Sequence, residues 1–99
     1  MVDFKLLLPE DFSEYQAEVE SKGWFSESFV LFEGQRFQLN FYDLARLTQE
    51  ASDALAKGVP FFEENLVIVP RVTPLHMQAA AEHLATTGKL AFFLPYQAT

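Results

Sequence analysis

Cysteine is absent from this 99-residue chain. That excludes a disulfide framework, a thiolate nucleophile and any cysteine-bound metal. The same absence suits a reducing compartment, and the expected location is the cytoplasm. Basic residues are scarce too, seven against fourteen acids, for a net charge of −7. A nucleic-acid binder needs a positive footprint to displace counterions, and an anionic membrane surface would repel this chain, so neither is an expected partner. Long apolar runs are also missing: the stretch from Leu66 to Val69 falls far short of the ~20 residues needed to cross a bilayer. The opening "MVDFKLLLPEDF" carries an early acid and no small-residue cleavage pattern, so no targeting segment is expected there. Only four glycines occur (Gly23, Gly34, Gly58 and Gly88), each explained by a turn or helix end, which leaves no phosphate-cradling loop.

What is present is a core. Apolar residues make up 49% of the chain and 15% is aromatic, ample to fold residues 1–99 as one domain without metals or cross-links. The pattern predicts a strand over 4–8 ("FKLLL"), then a helix from Pro9 or Asp11 to Lys22-Gly23. Asp11-x-x-Glu14 has the form of a capping box, and Phe12, Tyr15 and Val19 share the inner face. "FVLFEGQRFQLNFY", 29–42, reads as a hairpin about Gly34-Gln35, with Glu33 opposite Arg36, Phe32 opposite Phe37 and Val30 opposite Leu39. Its second strand alternates Phe37, Leu39 and Phe41 with Arg36, Gln38 and Asn40, so one of its faces is polar.

Asp43 can cap a second helix to about Lys57, with Leu44, Leu47, Ala51, Ala54 and Leu55 as its apolar stripe and Arg46–Glu50 and Asp53–Lys57 as ion pairs. Leu66–Val69 has the composition of a strand covered on both faces. Thr73-Pro74 matches a cap followed by proline in the first helical turn, and Leu75 or Met77, Ala80, Ala81 and Leu84 would line that third helix. "LAFFL", 90–94, is expected as another doubly buried strand. The resulting expectation is an α+β fold: a mixed sheet with a β-hairpin, a C-terminal βαβ unit and about three helices packed on the sheet.

Chemistry is thin. Adjacent carboxylates in an extended chain point to opposite faces, so Glu63-Glu64 is expected as a solvated bend ending at Asn65 and not as an acid–base pair. His76 and His83 lie two helical turns apart, too far for one zinc ion, and no metal or cofactor site is expected. No serine lies in a Gly-x-Ser-x-Gly elbow, and enzymatic activity is not expected. The helix start at Arg71 and Thr73 is the remaining small-ligand candidate, for an anion.

The acids are more informative. Residues 1–33 hold eight of them against Lys5 and Lys22, and Glu10, Glu14 and Glu18 repeat every four residues along the first helix. Such spacing costs a few tenths of a kcal/mol per pair and presents a negative surface. Trp24 and Phe25 follow in the expected loop "GWFSES", where aromatic residues suit an interface anchor. The sequence therefore reads as a small acidic protein-binding module for a basic partner, of the physical type of the immunity proteins that neutralise basic nuclease toxins. A structural role through self-association of the hairpin edge, burying Phe29 and Leu31, is the second reading. Residues 40–73, from "NFYDLARLTQEASDALAKG" to "FFEENLVIVPRVT", resemble a recurring block of small bacterial proteins with no assigned activity. That resemblance implies a bacterial cytosolic domain and carries over no functional residue.

Overall fold

The β-hairpin at the centre of the fold fixes the placement of everything else. In the computed structural model, which describes residues 3–97, β2 (Trp24–Phe32) and β3 (Gln35–Tyr42) pair antiparallel. β1 (Phe4–Leu7) flanks β2 and β4 (Leu66–Ile68) flanks β3, giving a mixed four-stranded sheet in the order β1-β2-β3-β4. β4 runs parallel to β3, and the helix joining them, α2 (Leu44–Ala56), completes a βαβ unit in the middle of the chain; the expected C-terminal one does not form, since no strand follows the third helix among the described residues. α1 (Phe12–Lys22) links β1 to β2, and α3 (Pro74–Thr86) follows β4. The fold class is α+β.

The hairpin turns one residue earlier than expected. Glu33 and Gly34 are its two central residues, both with positive φ (52° and 77°), which is the type I′ geometry whose twist matches paired strands. Phe32 therefore faces Gln35, Val30 faces Phe37 and Ser28 faces Leu39. A bulge then sets Ser26 and Glu27 against Asn40 alone, and this extra residue turns Phe25 onto the same face as Ser28 and Val30. Phe25, Val30, Phe37, Leu39 and Phe41 thereby form a continuous apolar face. Ser28 is fully buried in it, and its hydroxyl donates to the Leu39 carbonyl at 3.0 Å, so no polar group is stranded.

α1 and α3 cover that face, with Phe12 and Val19 from one and Met77, Ala81 and Ala85 from the other. The expected capping box at Asp11 does not form: Asp11 makes no side-chain cap, and a turn from Pro9 and Asp11 carbonyls starts the helix instead. Gly23 ends α1 in the left-handed region, φ 74°. A Cβ there would lie 2.5 Å from the Asp43 carboxylate, which is itself occupied capping α2 through the Arg46 amide. Thr73 caps α3 as expected, with Pro74 in its first turn.

Three further expectations fail, each at the periphery. β4 is a three-residue edge strand with Ile68 exposed, because only β3 pairs with it. α2 has no buried residue; Leu47, Ala51 and Ala54 are half-buried while Leu44 and Leu55 are both 66% exposed. "LAFFL" is no strand: after Gly88 the chain makes a 3₁₀ turn over Lys89–Phe92, which buries Leu90 and leaves Phe92 87% exposed. Among the described residues, the segment beyond it meets the β3 backbone through one bond, Tyr96 N–H to the Arg36 carbonyl at 2.6 Å, too few contacts to make a ladder. The hairpin is interior to the sheet, with β1 along part of β2 and β4 along only Asn40–Tyr42 of β3, so the expected position of the hairpin at the sheet edge is not what forms.

Candidate functional site

α1 sets the acidic surface. Its inner face is fixed by Phe12 and Val19, so Glu14 and Glu18 stand in solvent; Glu10 is exposed too, but it lies in the turn before the helix, and the backbone is non-helical at Tyr15, so the expected unbroken helical stripe does not form. Among the described residues the ion pairs are Arg46–Glu50 (2.7 Å) and Arg71–Glu20 (3.6 Å), so none of these three carboxylates is neutralised. The expected Asp53–Lys57 pair does not form among them either. Asp11 and Glu27 extend the negative field to Tyr15. Partial burial raises the Tyr15 hydroxyl above its ordinary range, and the carboxylates of Asp11 and Glu27 add to the shift.

Trp24 and Phe25 are the first residues of β2 rather than a loop, and the structure separates them. Phe25 is 6% exposed and packs edge-on against Phe12, with ring centroids 5.0 Å apart, so it belongs to the core and is withdrawn as a surface anchor. Trp24 is half-buried and leans on Tyr42. Its indole N–H is enclosed with no hydrogen-bond partner among the described residues. Arg71 and Thr73 do not converge on a ligand site. Thr73 spends its hydroxyl on His76, at 2.8 Å from Nδ1 and 3.3 Å from the backbone N, while Arg71 reaches Glu20 on α1.

The far face of the sheet, opposite α1 and α3, carries the residues that alternate with the core positions. Tyr42 is enclosed there between Trp24 and Phe61. Its hydroxyl is pushed up, first by burial and then by the carboxylates of Glu63 and Glu50, with Arg46 opposing them. A second group surrounds Asn65, which occupies the left-handed region at φ 49°. Its amide nitrogen donates to the carbonyls of Gln38 and Leu94, both at 2.9 Å, and its oxygen accepts from the Leu94 N–H at 3.0 Å. Its own carbonyl accepts from Asn40 N–H at 3.0 Å. One side chain thus joins β3, the start of β4 and the C-terminal segment. The expected solvated bend forms only in part: Glu64-Asn65 is a turn with Glu64 exposed, where it lines a cleft with Gln38, Asn40, Asn65, Leu94 and Tyr96, while Glu63 precedes the turn, half-buried, and faces Tyr42.

This cleft was missed from sequence, although the polar alternation of Gln38 and Asn40 along β3 was its visible signal. No cluster of three or more metal-ligating side chains occurs among the described residues, and no helix there is long and apolar enough to cross a membrane. Comparison with family models, curated proteins and solved structures returns no match, so no relative lends this chain a function.

Proposed function

We propose that the chain is a protein-binding module whose acidic α1 surface engages a basic protein. One observation carries this reading: Glu14 and Glu18 on α1, and Glu10 in the turn just before it, are exposed and unneutralised by any ion pair among the described residues. The field of such a ridge steers a positive partner toward it over about a Debye length, roughly 8–10 Å in ordinary buffers. Trp24 packs on Tyr42 but also borders a cleft with Tyr15, Val19 and Lys22 of α1, and it is the aromatic candidate left once Phe25 is assigned to the core. Within this class, inhibition of a basic nuclease in the manner of an immunity protein is the finer form of the proposal, resting on size and charge.

The test begins with the tagged protein as bait in host lysate, washed at low and then at high salt. A basic protein released by salt is the expected capture. Reversing the ridge (Glu10→Lys, Glu14→Lys and Glu18→Lys together) should then slow its association about tenfold or more at low ionic strength and flatten the salt dependence. Association rates unchanged by the triple substitution would sink the proposal.

A further inference from the structure

The cleft behind Asn65 has a chemical sense of its own, and it lies on the sheet face turned away from α1. Gln38 and Asn40 project there from β3, since they alternate with the buried Phe37, Leu39 and Phe41. The bend at Glu64-Asn65 forms one wall, and Leu94, Pro95 and Tyr96 form the other, enclosing about 290 Å³. That is room for a side chain or a small organic ion.

Its hydrogen-bonding inventory is mixed, since Gln38 and Asn40 each keep one amide proton and Gln97 at the rim keeps two among the described residues, but its charge is of one sign: Glu64 is the one charged side chain that lines it. Asn65 spends both amide protons, on the Gln38 and Leu94 carbonyls. Gln38 directs its amide nitrogen to the Ser26 carbonyl at 2.8 Å, and Asn40 directs its own to the Glu64 main-chain carbonyl at 2.6 Å. These bonds fix which end of each amide is which. They leave the Gln38 and Asn40 side-chain oxygens and the Glu64 carboxylate with no donor among the described residues. Unspent acceptors and one negative charge call for a cation rich in N–H groups. A guanidinium meets that description better than an ammonium: its planar fork reaches several acceptors at once, and it stacks on an aromatic ring such as Tyr96 at the wall. The face already holds one such contact, since the Arg36 guanidinium lies over the Phe29 ring at 5.1 Å and that ring meets Tyr96 edge-on at 5.1 Å. Arg36 is committed there, and its charge weakens the attraction for a second cation without filling the cleft.

We infer that this cleft is a receptor for an arginine side chain, with Glu64 as its counter-charge, Gln38 and Asn40 as neutral acceptors and Tyr96 as its stacking wall. The inference goes beyond the acidic-ridge reading and needs no residue of α1, so each stands or falls separately.

The experiment is an NMR titration of the full chain with Nα-acetyl-arginine amide, with Nα-acetyl-lysine amide as the comparison. Saturable shifts are expected at Gln38, Asn40, Glu64 and the 94–97 segment, with the lysine probe binding more weakly. Glu64→Gln should weaken the arginine probe about fivefold or more, because a charge-assisted bond becomes a neutral one. This variant keeps the bend, since Asn40 is held by the Glu64 main chain, and an otherwise superimposable spectrum verifies that. The inference is overturned by shifts that collect on α1 or nowhere. Equal affinity for the Gln variant, or equal binding of the lysine probe, overturns it as well.

Discussion

α2 and α3 are helices of equal length, thirteen residues each, and both begin on a side chain that caps the third residue along: Asp43 on Arg46, Thr73 on His76. Their fates differ. α3 carries only a weak apolar stripe, yet it buries Met77, Ala81 and Ala85 against the sheet. α2 has the clearer stripe and buries nothing completely. The lesson is that periodicity identifies which face of a helix turns inward, while depth depends on what the sheet offers that face. α3 lies on the continuous apolar surface of Phe25, Val30, Leu39 and Phe41; α2 lies beside the strand ends, tied there by the Asp43 N–H bond to the Gly23 carbonyl and by Arg46 to the Lys22 carbonyl.

Truncations along the two helices sharpen that contrast. Met77→Ala in α3, at a site with no exposure, should cost about 2–5 kcal/mol in denaturant unfolding, from lost transfer energy and the cavity left behind. Leu47→Ala, at the half-buried centre of α2, should cost about 1 kcal/mol, since only part of that side chain leaves water. Leu55→Ser, at the exposed end, should fall within about 0.5 kcal/mol of the parent. If Leu47→Ala proved as damaging as Met77→Ala, α2 would be a core helix in solution and the contrast would break. A large effect at Leu55 would instead show that a partner or second copy covers that end.

The same division governs what could be read from the chain. β1, all three helices, both helix caps of α2 and α3, and the polar alternation of β3 were visible as local patterns, because caps, turns and periodicity act within a few residues. The hairpin was visible but not its register, since Glu33 takes a left-handed conformation that only the twist of the paired strands selects. Phe25 followed the same rule. Its neighbours suggest a loop, and a bulge formed with a distant strand turns it inward. The C-terminal "LAFFL" was misread because apolar composition alone cannot distinguish a buried strand from a short turn that buries one residue of five, here Leu90. Of the candidate sites, the exposure of Glu14 and Glu18 on α1 could be placed from helical spacing, while Glu10 falls in the turn before the helix because the chain starts α1 one turn later than the spacing implies. The cleft could not, because Gln38, Glu64 and Tyr96 are brought together only by tertiary bonds.

By itself, then, the sequence determined an α+β chain with an acidic first helix, because charge, capping and hydrophobic period are local quantities. Tertiary structure alone decided the strand order, the depth of each helix and the role of Asn65. These depend on non-local pairing, in which one amide side chain at φ 49° bonds to Gln38, 27 residues before it, and to Leu94, 29 residues after it. No window of neighbouring residues contains that information.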